Sequence, residues 1–402
     1  MACVAWTILN PAGDRRVIVT KALPGARWRQ LLFAADCRVE VAEGSRALTE
    51  EEIIAAIGDR CDAAIGQLTE PWSASVLRRL AAAGAIAYSA YAVGYDNVDV
   101  PAATRLGLPV GTTPGVLTEV TAEMAVALTF AAARRVVEGD RHMRSGAFTG
   151  WLPTLMLGEL LWRKTLGVVG AGRIGAAYAR MMLEGHKMDL VYYGPSANKA
   201  LERYAADYGA FLSAQGERPV SCRRAATLVE LLRAADIVSL HPALNEATRH
   251  LIGRPELAAM KETAVLINTS RGPVIDEAAL IDHCHAHPSF RVGLDVYEDE
   301  PAMKPGLADL DNAVLAPHLG SATSWTREGM ATLAAANVAG ILEGWPVWPR
   351  AKTLTDVLPF LEDSPPQATP NIVNADDLGL RRLATIAAAT NSPDDRAQAS
   401  SA

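Results

Sequence analysis

Short runs of apolar, β-branched residues recur along this chain, with longer stretches of helical periodicity between them. Arg16–Thr20 (RVIVT), Cys61–Gln67 (CDAAIGQ) and Ala85–Tyr91 read as strands. So do Leu166–Gly170, Met188–Tyr193, Asp236–His241, Ala264–Asn268, Val292–Val296 and Ala313–Pro317. Runs apolar on both faces and separated by helices are what parallel strands of α/β units look like, because helices cover both faces of such a sheet. Thr49 with Glu52, and Thr227 with Glu230, have the capping-box spacing of helix starts. The Ala-, Val-, Leu- and Met-rich middle of Thr118–Arg144 predicts one long helix buried between two bodies, and a second long helix is expected over Ser324–Glu343.

This pattern predicts an α/β chain that is discontinuous in sequence. An outer, substrate-binding unit takes residues 1–117 and 322–364, and a dinucleotide-binding unit takes 118–321. The crevice between them is the expected site. Within 196–226, Lys199–Gly209 is expected to be helical and Ser213–Arg224 an exposed loop. The Pro-, Ser-, Asn- and Asp-rich stretch 365–402 reads as a flexible tail.

Composition narrows the function classes. At 402 residues, half of them hydrophobic, the chain holds two sizeable cores. A formal net charge of -7 gives no general attraction to phosphate backbones or anionic membranes, so neither nucleic acid nor membrane is an expected partner. Five cysteines, at positions 3, 37, 61, 222 and 284, include no C-x-x-C pair and suit a reducing, intracellular compartment. No apolar run reaches the ~20 residues of a membrane helix, and a soluble protein is expected. The N-terminus lacks the charged start and long apolar stretch of a secretory signal.

The strongest local motif is Gly170-Ala171-Gly172-Arg173-Ile174-Gly175, which follows the strand LGVVG and opens a helix. In that context the first glycine permits a tight turn and the second a close approach of backbone to a pyrophosphate. The third lets helix and strand pack closely, and the helix N-terminus offers free N–H groups to the anion. An acidic residue for the ribose hydroxyls is expected about 20 residues on, but Tyr193-Gly194-Pro195-Ser196 stands there. Without that carboxylate the 2′-phosphate of NADP meets no repulsion, and Ser196, Asn198 and Lys199 are candidate partners for it. A shortened turn that still binds NAD through backbone contacts is the other reading. The cofactor expectation is therefore NAD(H) or NADP(H).

Further chemistry sits where strands end. Asn268-Thr269-Ser270-Arg271 follows the strand AVLIN, Asp295 ends VGLD, Glu300 precedes Pro301, and His318 lies in Pro317-His318-Leu319-Gly320. Reducing a keto acid needs a cation for the carboxylate and carbonyl, an acid for the forming alkoxide, and a partner for that acid. Taken singly, each residue is more often an ordinary surface or capping group. His283-Cys284-His285-Ala286-His287 resembles a metal box, but it lacks the Glu of HExxH and Pro288 ends the helix, so no metal is expected.

In order, and behind the glycine motif, these residues resemble the D-isomer-specific 2-hydroxyacid dehydrogenase family. The likeness runs through GDRCDAAIGQLTE, AVGYDNVDV, GTTPGVLTEVTAE, GAGRIGAAYARMMLEG, INTSRGPVIDEAAL, FRVGLDVYEDEP and MKPGLADLDNAVLAPH, and fades after about Pro365. The resemblance implies a Rossmann-type doubly wound parallel sheet plus a flavodoxin-like substrate-binding unit. It implies reduction of a small 2-keto acid such as hydroxypyruvate, or glyoxylate, to the 2-hydroxy acid.

It also implies roles. Arg271 would bind the substrate carboxylate and carbonyl, His318 would be the general acid, and Glu300 would pair with His318 and favour its imidazolium. Ala92, Val93 and Gly94 would offer backbone N–H groups to the carboxylate. Thr118, Gly170, Gly172, Arg173, Ile174, Gly175, Tyr193, Gly194, Ser196, His241, Pro242, Asn268, Thr269, Ser270, Asp295, His318 and Gly320 would surround the cofactor, Asp295 beside the nicotinamide. Trp151 would reach the partner's substrate site in a homodimer built around Thr118–Arg144. Plant members carry an acid where Gly194 stands, so their preference for NADH does not carry over. They also end in the peroxisomal Ser-Lys-Leu where this chain ends Ser-Ser-Ala, which leaves peroxisome, mitochondrion and cytosol open.

Overall fold

In the computed structural model, which describes residues 4–383, the expected strands pair into two sheets. The first contains β1 (Trp6–Leu9), β2 (Arg15–Val19), β3 (Cys37–Ala42), β4 (Ala63–Gly66), β5 (Ala87–Ala90) and β6 (Val110–Gly111). Their order is β1-β3-β2-β4-β5-β6. β2 to β6 run parallel, and β1 lies antiparallel on the β3 edge. Counted from β2, the parallel part has the flavodoxin-like order 2-1-3-4-5. β1, β3 and β6 were not among the expected strands. In β3 the charges of CRVEVA interrupt the apolar run, and Glu40 is satisfied across strands by Arg16, 2.6 Å away.

The second sheet contains β7 (Thr165–Val169), β8 (Asp189–Tyr193), β9 (Cys222–Arg224), β10 (Ile237–Leu240), β11 (Val265–Asn268), β12 (Arg291–Leu294) and β13 (Ala313–Leu315). All pair in parallel in the order β13-β12-β11-β10-β7-β8-β9. Read from β9, this is the Rossmann order 3-2-1-4-5-6 with one strand added. Its topological switch lies between β7 and β10, where ligands bind at the carboxyl ends of strands. The segment Ser213–Arg224 is not simply an exposed loop. Helix Lys199–Ala214 runs five residues past Gly209, and β9 pairs with β8. The buried Leu212 and Val220 pack with Leu183, and this small core draws β9 onto the sheet edge.

The helix expected over Thr118–Arg144 breaks in two, Thr118–Ala133 and Val136–Arg144. Arg135 lies between them with a left-handed φ of 55° and pairs with Glu138 at 2.8 Å. The first half is buried, but in one body: Ala122, Ala125 and Leu128 join Leu166, Tyr178 and Ile267 in the second sheet's core. The second half buries nothing within the chain. Helix Ser324–Leu342 forms as expected and inserts Leu333, Ala334 and Val338 into the core of the first unit. Val116 and Leu117 pack in the first unit's core and Ala122 in the second's; on the return, Ala316 packs in the second and Met330 in the first.

The part of the expected tail over 365–383 is packed. Ile372 bridges to Gly111 at the open edge of β6, and Asn374 Oδ1 accepts the Val110 N–H at 2.9 Å. Asn371 N–H donates to Asn337 Oδ1 at 2.8 Å. Composition suggested disorder, yet the Asn374 side chain pairs with a backbone N–H that an edge strand leaves free, and a helix side chain satisfies Asn371. Residues 384–402 of that tail, with the terminal Ser-Ser-Ala, lie outside the described residues. No helix among the described residues is long and apolar enough to cross a membrane.

Candidate active site

The glycine motif leaves β7 at the switch point, and each glycine is needed for a different reason. Gly170 has φ 88°, and a Cβ there would stand 2.8 Å from the His241 backbone. A Cβ on Gly175 would stand 2.3 Å from the Gly170 carbonyl, so helix Arg173–His186 can lie against the loop. A Cβ on Gly172 would meet nothing within 4 Å. Gly172 is also the N-cap of that helix and supplies no side-chain acceptor, so the first-turn N–H groups face open space. Thr269 supplies a further sign of a missing ligand: its Oγ1 is buried with no partner among the described residues. A dinucleotide pyrophosphate fits this cradle.

Between the units is a cleft of about 660 Å³. Of the expected positions, Ala92, Val93, Gly94, Gly172, Arg173, Ile174, His241, Pro242, Thr269, Ser270, Arg271, Asp295, His318 and Gly320 line it. Gly170, Gly175 and Asn268 stand behind the lining and hold it. Asn268 Oδ1 accepts from Ser270 N–H (3.0 Å) and Oγ (2.8 Å), while its Nδ2 donates to the Arg271 carbonyl (2.9 Å). Thr118 starts its helix off the cleft wall, and Thr121, one turn on, takes the wall position. Arg173 Nη1 donates across the units to the Lys352 carbonyl at 2.8 Å. His241 packs on Tyr178 (5.3 Å between rings) with Nε2 2.9 Å from Ser239 Oγ; burial holds it down to about 3, so it is neutral at physiological pH.

At the far end, β8 delivers Tyr193, Gly194 and Ser196 to an open surface, where a Cβ on Gly194 would meet nothing within 4 Å. Asn198 is already used, bracing the Ala171 carbonyl and capping its own helix, and Lys199 pairs with Glu202 at 2.9 Å. The cation here is one the sequence reading missed. Arg224 Nη2 donates to the carbonyls of Gly194 (2.7 Å) and Pro195 (3.1 Å). Only the pairing of β9 with β8 brings it there.

The reacting groups meet near the ends of β11, β12 and β13. Asp295, 1% exposed, accepts the N–H groups of Leu319 (2.6 Å) and Gly320 (2.7 Å), and its own carbonyl accepts that of His318 (3.0 Å). Burial pushes its carboxyl up, against the pull of those N–H groups and of His318. The loop so pinned holds His318 at φ 55°, a left-handed conformation costing of order 1–3 kcal/mol in a non-glycine residue. His318 Nδ1 lies 3.0 Å from Glu300 Oε2, and Glu300 Oε1 also accepts the Tyr297 N–H at 3.2 Å. Glu300 therefore orients the His318 ring through Nδ1, and its Nε2 makes no hydrogen bond among the described residues. Arg271 reaches into the cleft beside the Val93–Gly94 loop. Trp151 is 80% exposed and does not join its own chain's cleft. His283 and His287 stack at 4.3 Å, with His283 edge-on to Phe290, at a helix end away from the cleft.

A free helix N-terminus at a Rossmann switch point, a cation and an acid–carboxylate pair across one cleft define a dinucleotide-dependent oxidoreductase acting on a small carbonyl compound. Comparison with known proteins agrees. The model of the D-isomer specific 2-hydroxyacid dehydrogenase NAD binding domain matches residues 126–320. The chain is 56% identical to the glycerate dehydrogenase of Cucumis sativus, covering 92% of this chain and 97% of that one. It is 54% identical to the peroxisomal glycerate dehydrogenase of Arabidopsis thaliana, over 94% and 98% of the two chains. Among solved structures it is similar to the NADPH-dependent glyoxylate/hydroxypyruvate reductase of Sinorhizobium meliloti, determined with NADP and malonate: TM-score 0.65, 27% identity, 80% of this chain and 92% of that chain. The chain belongs to the D-isomer-specific 2-hydroxyacid dehydrogenase family and is an oxidoreductase of CH–OH groups that uses a nicotinamide dinucleotide.

Proposed function

We propose that this protein reduces hydroxypyruvate to D-glycerate, and glyoxylate to glycolate as a second activity. The observation that carries the reading is the convergence of Arg271 and the Glu300-backed His318 on one cleft beside the free helix N-terminus. A nicotinamide dinucleotide held by Gly170, Gly172 and the start of helix Arg173–His186 would supply the hydride. Arg271 holds the substrate carboxylate and draws electron density toward the carbonyl oxygen. His318 donates its proton to the oxygen as the alkoxide forms, and Glu300 stabilises the imidazolium before transfer. Asp295 keeps the His318 loop in place. Hydroxypyruvate and glyoxylate differ by one hydroxymethyl group, too little for strong discrimination in a pocket of this kind.

NADPH is accepted alongside NADH on this reading, because no carboxylate stands at Gly194 and Arg224 places a cation there. Steady-state reduction of hydroxypyruvate with both coenzymes tests function and coenzyme together. Turnover with either supports the activity. Gly194→Asp should lower the NADPH/NADH ratio of kcat/KM by about tenfold or more, since each ~1.4 kcal/mol of like-charge repulsion is a factor of ten. An unchanged ratio would assign the choice to another residue. No turnover with any 2-keto acid would favour a dinucleotide-sensing binding protein of the same fold.

A second copy of the chain completes the particle. Val136, Met143, Trp151, Leu152, Leu157 and Leu160 are exposed along 136–160, more apolar surface than a monomer usually leaves in one stretch. The pairing puts Trp151 at the partner's cleft. Sedimentation equilibrium at micromolar concentration should return a dimer; a monomer there would end this part of the reading.

A further inference from the structure

Arg271 does not stand free in the cleft. Its Nε donates to Asp96 Oδ1 at 2.8 Å, and its Nη1 donates to the Ser270 carbonyl at 2.8 Å. Asp96 belongs to the first unit and Arg271 to the second, 175 positions apart. A Cβ on Gly94 would stand 1.8 Å from Arg271 Nη2 and 2.9 Å from its Cζ, so the guanidinium meets the loop that carries Asp96 through its Nη2 end. The loop expected to receive the substrate carboxylate thus also grips the cation expected to bind it.

We infer that Asp96 is a positioning residue for Arg271, assembling the carboxylate subsite across the two units. Arginine has a long side chain with many rotamers to lose, and its five N–H groups form a rigid fork. Holding the fork at Nε from one unit and at Nη1 from the other fixes its plane and turns both Nη2 N–H groups toward the Gly94 loop. Asp96 takes the Nε N–H and the Ser270 carbonyl one Nη1 N–H, which leaves Nη2 for a carboxylate. The pair is partly exposed, with side chains 22% and 36% accessible, and ion pairs reached by solvent contribute little to stability. Its effect is therefore on where the cation points, not on whether the protein folds. The carboxylate of Asp96 also offsets part of the positive charge that substrate meets.

This inference rests on Arg271 as the carboxylate ligand. Asp96→Ala and Asp96→Asn, with NADH and hydroxypyruvate, test it. Asp96→Ala should lower kcat/KM by roughly ten- to a hundredfold, mainly by raising the keto-acid KM, as expected for a misplaced binding group. Coenzyme Kd and Tm should stay at wild-type values. Asp96→Asn keeps an oxygen acceptor for Nε and removes the competing charge, so its keto-acid KM should be at or below that of the wild type. An unchanged kcat/KM in Asp96→Ala overturns the proposal. So does a loss shared equally by both variants and accompanied by weaker coenzyme binding, which would make Asp96 a structural strut. If the wild type turns over no keto acid, the functional reading fails separately. The role of Asp96 is then judged by calorimetric titration of the coenzyme-loaded proteins with oxalate: weaker binding in Asp96→Ala alone supports it, and equal binding in all three overturns it.

Discussion

Replacing His318 with alanine should lower kcat for keto-acid reduction by ~10²–10⁴-fold, the usual contribution of a positioned general acid, while dinucleotide affinity stays near that of the wild type. The separation follows from where the residue sits. The pyrophosphate cradle is built from Gly170, Gly172 and the start of helix Arg173–His186, on β7, whereas His318 follows β13 at the other end of the cleft. The backbone complicates the experiment, since position 318 has φ 55° and alanine tolerates that conformation poorly. Asparagine visits the left-handed region more easily, so His318→Asn is the matched control: it removes the proton donor and keeps the loop. Equal loss of kcat in both variants, with coenzyme Kd unchanged by fluorescence titration, is the expected result. Loss of coenzyme binding in both would show that His318 serves the loop and not the chemistry.

Arg271→Ala should be comparably damaging, by a different route. Removing one partner of a charge pair inside a binding site typically costs about 2–5 kcal/mol, or roughly 30- to 5,000-fold in kcat/KM. Two losses combine here: the substrate carboxylate loses its cation, and Asp96 is left as an unpaired carboxylate that repels it. Arg271→Lys separates them. Lysine restores the charge but has no Nε and no planar fork, so it cannot keep both the Asp96 and the Ser270 contacts. Its activity should fall between the two, with KM carrying most of the change. Near-normal turnover in Arg271→Ala would remove Arg271 from the reaction and, with it, the basis for a role of Asp96.

Local features were readable before any contact was known. The glycine motif is a strand–turn–helix unit of a dozen residues whose requirements are all short-range: a positive φ at Gly170, contact at Gly175, space at Gly172. Strand ends were readable because buried parallel strands are apolar throughout, and in α/β folds their carboxyl ends are where ligand groups cluster. Arg271, Asp295 and His318 could be picked out on that ground, although each alone is an ordinary residue type, and it was their order and the family likeness that joined them with Glu300. Where charge interrupts a strand, as in β3 and β9, the pattern was unreadable, because the partner that makes the charge tolerable is far away in sequence. The break at Arg135 was hidden for the opposite reason: helical periodicity continues through it, and an arginine carries no mark of a left-handed φ.

By itself the sequence determined the α/β class and the dinucleotide cradle, because these depend on composition, period and short spacings; the roles proposed for His318 and Glu300 rest on the family likeness. Tertiary structure alone decided which distant side chains share a site. The order of the second sheet brings Arg224 to Gly194, the closing of one unit on the other brings Asp96 to Arg271, and the open edge of β6 recruits Ile372 and Asn374 from a segment whose composition suggests disorder. Each of these contacts joins residues whose separation along the chain carries no periodic signal, so it follows only from how the sheets are wound and packed.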